Sequence, residues 1–217
     1  MARRKSNRCD NERRGIAQEA ARIMREEGVR DHLLAKRKAA QRLNIADRQA
    51  LPANDESEQA LREQQRLFGG DAYASRLREL RQVACGAMRM LEDFSPRLVG
   101  SVLSGAVTDQ TPVRLHVFSD APEGIALHLL ERNIPYDFEE YRVRYKHDRH
   151  ELRPVYAFNK DSIAIEAIVF SLTELRQPPT CPVDGRPMRR LRLPEVEALV
   201  DGGSETGDTV QRFEIST

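Results

Sequence analysis

The sequence predicts an α+β fold: an all-helical N-terminal region over residues 1–94, a small mixed β-sheet domain over 95–172, and an irregular tail over 173–217 with one short helix. Three observations lead there. Apolar residues recur at helical spacing as far as residue 93. From residue 97 the pattern shortens to alternating apolar and polar runs broken by turn-formers, as in strands. The composition agrees: 32% of the chain is charged, 6% is aromatic and tryptophan is absent, which suits a helix-rich protein better than a β-sandwich.

Residues 1–11 are basic and without pattern, and are expected to fray. Asp10 or Asn11 can cap a helix to Glu27, with Ile16, Ala20, Ile23 and Met24 along one stripe and Gly28 as its stop. Asp31 starts a second helix through Leu43, offering Leu33, Leu34, Ala39, Ala40 and Leu43 for burial and placing Lys36, Arg37 and Lys38 on the wet side. Asp55 or Ser57 caps a third, which carries Ala60, Leu61, Leu67 and Phe68 as far as Gly69-Gly70. A fourth runs from Asp71 to about Asp93, with Leu77, Leu80, Ala84, Ala87, Met88 and Leu91 at helical spacing.

Residues 97–99 read as a short buried strand, Gly100-Ser101 as a sharp turn, 102–106 as one helical turn and 113–118 as a second strand. Asp120 as cap, Pro122 in the first turn and Glu123 make a helix start, and that helix is expected to end near Asn133 with Ile125, Leu129 and Leu130 buried. Residues 134–145 alternate, with Tyr141, Val143 and Tyr145 on one face and Glu140, Arg142 and Arg144 on the other. Segments 155–158 and 163–170 form a hairpin around Asn159-Lys160-Asp161. CPVDGRPM is a structured turn, 193–200 a closing helix, and the chain from Gly202 is loose, with a marginal strand at 210–215.

Several function classes are excluded. No Gly-x-x-x-x-Gly-Lys-Ser/Thr loop occurs, and GSVLSGA lacks the glycine spacing of a nucleophile elbow. Cys9, Cys85 and Cys181 are scattered and odd in number, as in a reducing cytosol. His147 and His150 lie in a charged turn with Asp148 and Glu151, where a solvated loop explains them more simply than zinc. No run approaches the length of a membrane span and no apolar leader opens the chain, so a cytoplasmic, soluble protein is expected.

The order strand, Gly-Ser, short helix, loop, strand resembles the opening of the nucleotidyltransferase fold shared by DNA polymerase beta and the small bacterial nucleotidyltransferases. The resemblance covers residues 96–170. In that family the Gly-Ser backbone and hydroxyl hold a nucleotide phosphate, and an Asp-x-Asp pair on the next strand holds catalytic magnesium. The matching positions here are Arg114 and His116. The resemblance therefore implies a degenerate member that binds a nucleotide or phosphorylated ligand through Gly100, Ser101 and Gly105, with Arg114, His116, Arg142 and Arg144 as a cationic sheet face. Mg2+ is implied only if transferase activity is retained, with Asp109, Asp120 and Glu140 as displaced ligands. The physical reason for the Gly-Ser turn is independent of family: free amides and the positive end of a helix dipole meet there.

A second class stays open. In the first fifty residues Lys and Arg outnumber Asp and Glu about two to one, although the whole chain is nearly balanced at 35 against 34. Arg3, Arg4, Lys5, Lys36, Arg37 and Lys38 can contact nucleic-acid phosphates, which makes the alternative a regulatory or accessory protein. A third possibility is an interaction module whose long helices bind a protein partner.

Overall fold

The computed structural model describes residues 2–29, 31–45 and 50–202. In chain order the elements are α1 (Ala2–Glu27), α2 (His32–Arg42), α3 (Asn54–Phe68), α4 (Gly70–Met90), β1 (Arg97–Val99), the single turn α5 (Ser101–Ser104), β2 (Val113–Phe118), α6 (Glu123–Glu131), β3 (Tyr136–Arg144), β4 (His150–Lys160), β5 (Ile163–Phe170) and α7 (Leu193–Asp201). The α+β class is as expected. Residues from 203 on, including the strand expected at 210–215, lie outside the described residues, as do the side chains of Arg3, Arg4, Lys5, Cys9 and His147.

Helices α1 to α3 pack through small residues, with Ala20, Ala35, Ala39 and Ala60 meeting Ile16, Ile23 and Leu61. Helix α1 begins at Ala2 instead of fraying to residue 11. No glycine or proline interrupts that stretch, and arginine and lysine are good helix formers. Asp31 caps α2, its carboxylate accepting from the Leu34 amide at 2.7 Å. The inner stripe of α2 is Ala35, Lys36 and Ala39, while Leu33 and Leu34 are exposed. This corrects the expected wet side for Lys36. Its Nζ donates to the Pro52 carbonyl and to Asn54 Oδ1, both at 2.7 Å, so the head is satisfied at the start of α3 while the stem fills the interface.

Among the described residues the strands form one sheet of order β1-β2-β5-β4-β3, in which β2 and β5 are parallel and every other neighbour is antiparallel. One face packs on helices: Val113, Leu115 and Val117 of β2 and Ile165, Ala167 and Val169 of β5 join Leu80, Ala84, Met88, Ile125 and Val196. The other face carries Phe118, Val143, Tyr145, Val155, Ile168 and Phe170, with Leu175 laid on it. The segment after β5 crosses this face. It then adds an antiparallel bridge to the outer edge of β1, Leu98 with Leu191, and enters α7, which packs on α4. The strap thus covers one face, one edge and part of the other face in sequence.

Strand β4 starts at His150, five residues earlier than the alternation suggested, and its hairpin tip is Asp161-Ser162, with φ of 51° and 64°. Such positive φ values at both central residues are those of a type I′ turn. In α6, Leu130 is exposed and His128 is buried, its ring nitrogen 2.7 Å from the Met90 carbonyl oxygen.

Candidate functional site

Gly100 closes β1 with φ 75° and ψ −149°, a conformation that side chains disfavour, although a Cβ there would meet nothing. The amides of Leu103 and Ser104 return to the Gly100 carbonyl, which makes α5 a single turn. Gly105 ends that turn at φ 85°. Its carbonyl accepts from the Tyr73 hydroxyl at 2.6 Å, and an added Cβ would stand 3.1 Å from that oxygen. The conformation of Gly105 thus fits α5 to α4, on the helix side of the sheet.

Strand register brings the turn to Arg114, because Val99 pairs with Arg114 across β1 and β2. The Arg114 side chain lies on the strap face. Its Nε and Nη2 donate to Glu166 Oε2 at 2.8 and 2.6 Å, and its guanidinium stacks 5.1 Å above the Tyr141 ring. Glu166 stands directly opposite on the parallel strand β5. The pair is 31% and 23% exposed, so both charges are partly withdrawn from water.

One step along the same face, His116 is 1% exposed. Its Nδ1 accepts from Arg190 Nε at 3.0 Å, and its ring lies 4.4 Å from that of Phe170. Burial, with the Arg190 and Arg114 charges adding to it, holds the imidazole well below its ordinary pKa, so it is neutral. Arg190 lies 5.0 Å from the Phe118 ring and 5.1 Å from that of Phe170. Its Nη1 donates to the Glu174 and Leu175 carbonyls, and its Nη2 has no hydrogen-bond partner among the described residues. Burial pushes Arg190 down to about 10. The strap therefore covers His116, while Arg114 stays partly exposed beside Glu166 and Tyr141.

Arg142 and Arg144 do not join this surface. They lie on β3, beyond β5 and β4, and alternate with Tyr141 and Val143, so they point to the opposite face. The expected four-residue cationic face is thereby corrected to Arg114 and the covered His116. The carboxylates expected as displaced magnesium ligands are also dispersed. Asp109 is exposed in the loop before β2. Asp120 lies past the end of β2 and accepts the Leu172 amide at 3.1 Å instead of capping α6. Glu140 is exposed on β3. Magnesium needs several converging hard oxygens. Among the described residues no three His, Cys, Asp or Glu side chains are grouped for a metal, so the positions do not fit the ion that the resemblance implies.

Glu166 was not anticipated. Its signal was present in the sequence, as the lone charge inside the apolar run of β5. In the N-terminal helices, Lys36 is buried and Lys38 pairs with Glu27 at 3.1 Å, which leaves Arg37 as the exposed member of that trio. Arg22 and Arg42 likewise pair with Glu19. Among the described residues no helix is long and apolar enough to cross a membrane. No protein-family model, curated protein or solved structure matches the chain.

Proposed function

We propose that this chain is a nucleotidyltransferase-like protein that binds a nucleotide or phosphorylated small molecule at the Gly100-Ser101 turn beside Arg114, without metal-dependent transfer. The observation that carries this reading is the register of Val99 with Arg114, which sets the backbone of Arg114 next to the glycine turn at one end of the sheet. A guanidinium binds phosphate oxygens in a fixed fork. Here Glu166 competes for that fork, so the site holds its cation in reserve until an anion displaces the carboxylate.

The test is a thermal-shift titration with nucleoside triphosphates, with and without magnesium, on the native chain, Arg114→Ala and Glu166→Gln. The native chain is expected to shift without magnesium, Arg114→Ala to lose the shift, and Glu166→Gln to enlarge it by freeing the guanidinium. No shift at any saturating concentration overturns the reading. Nucleic-acid binding that falls steeply with salt, survives Arg114→Ala and is lost in Arg37→Ala moves the function to the N-terminal helices.

A further inference from the structure

A cleft lies at the opposite end of the sheet, and its reading does not rest on the one above. Strands β2 and β5 are parallel, and their carboxyl ends, Phe118 and Phe170, are register partners. Beyond them the chain diverges. After β2 it enters α6 on the helix face, where Ile125 is buried; after β5 it enters a short 3-10 turn, Leu172–Arg176, on the strap face, where Leu175 packs. Connections that leave adjacent parallel strands toward opposite faces open a crevice at the strand ends, the position where open α/β sheets bind ligands. A cleft of about 440 Å³ occupies it, within the usual size range for a small ligand.

Five charged side chains line it: Asp120, Arg149, Glu151, Arg153 and Glu174. Glu174 is saturated: Oε1 accepts from the Tyr145 hydroxyl and Arg153, and Oε2 from the amide and hydroxyl of Ser171. Glu151 forms an ion pair with Arg149 at 3.1 Å and accepts from Arg153. All the bonds of Arg153 run through Nη2, which leaves Nη1 unspent among the described residues. Arg149 commits only Nη1 to a carboxylate, lies 4.6 Å from the Tyr145 ring and is 61% exposed. Asp120 commits only Oδ1, to the Leu172 amide, so its second oxygen is open. Among the charged lining groups, the unspent ones are thus guanidinium donors and one carboxylate oxygen. In the same lining, Arg149 and Arg153 face Asp120, Glu151 and Glu174, a balance of two cations to three anions that disfavours a dianion.

We propose that this cleft binds a small zwitterion of the α-amino acid class, its carboxylate on Arg149 and Arg153 and its ammonium on Asp120. Charge-assisted hydrogen bonds of both signs then satisfy both ends of the ligand.

The experiment is calorimetric titration of the full chain with each common amino acid to about 10 mM, enough to reveal a Kd of about 1 mM. Acetate, methylamine and inorganic phosphate serve as controls. The native chain is expected to bind at least one amino acid saturably, and neither acetate nor methylamine alone. Asp120→Asn keeps the acceptor for Leu172 and Arg149→Gln alters an exposed side chain, so both should fold with unchanged circular dichroism. Each should weaken binding about tenfold or more. The proposal is overturned if no amino acid saturates, if both variants bind as the native chain does, or if inorganic phosphate alone binds and is lost in Arg149→Gln.

Discussion

Arg190 donates its Nε hydrogen to the Nδ1 of His116 at 3.0 Å, joining residues 74 positions apart. The bond fixes the imidazole as the neutral tautomer protonated on Nε2, because Nδ1 must accept. It also sets the strap in register with the sheet, since the next residue, Leu191, bridges Leu98.

Stability should fall on mild acidification. His116 titrates near pH 6.5 in the unfolded chain and well below that in the folded one. Its contribution is therefore complete above about pH 6.5 and is lost as the pH falls toward the folded value, with a slope of up to about 1.4 kcal/mol per pH unit. His32, lowered chiefly by burial, adds in the same sense. Urea midpoints at about pH 7.5 and about pH 5.5 read the slope. His116→Asn, which keeps an acceptor and cannot be protonated, should flatten it; an unchanged slope would refute the buried neutral imidazole.

Arg190→Ala should cost about 2–4 kcal/mol, because it uncovers two phenylalanine rings and strips His116 of its donor. Limited proteolysis should then cut within residues 177–190 before the sheet is digested. Resistance equal to that of the native chain would show that the strap is held elsewhere.

The Arg114 and Glu166 pair lends itself to a double-mutant cycle. Arg114→Ala removes the guanidinium that donates twice to a partly buried carboxylate and should cost about 1–3 kcal/mol. Adding Glu166→Gln should recover part of that loss, a coupling of about 1 kcal/mol or more. Strict additivity in chemical denaturation would mean that the pair contributes nothing.

Gly100→Ala separates backbone strain from crowding, because the new methyl meets no atom within 4 Å. A loss of about 1–3 kcal/mol follows from the backbone conformation alone. Thermal melting measures it, and a variant as stable as the native chain would show that the turn tolerates a side chain.

The sequence revealed elements whose signals are local. Strand β2 was readable because Val113, Leu115 and Val117 alternate with Arg114, His116 and Phe118, and both sets have buried work on their own faces. Asp31 was readable as a cap because its partner, Leu34, is three residues away. Features that depend on distant partners were hidden. The early part of β4 carries Glu151 and Arg153, which look like loop residues until Tyr145 and Glu174 are seen to pair with Arg153. Lys36 looked wet until the Pro52 carbonyl supplied its acceptor. The candidate site divided in the same way: the Gly100-Ser101 turn and Arg114 are neighbours in the register of adjacent strands, whereas the place of Arg142 and Arg144 required a strand order that no local pattern encodes.

The bridge between Leu98 and Leu191 bears on how the chain is made. The last described residues cover a sheet face, close the free edge of β1 and deliver α7 to α4. During synthesis the sheet therefore waits, with Phe118 and Phe170 uncovered and one edge open, until the segment through α7 has left the ribosome. A message truncated before codon 190 would yield a nascent domain with an exposed apolar face and a free strand edge, a ready substrate for chaperones and proteases.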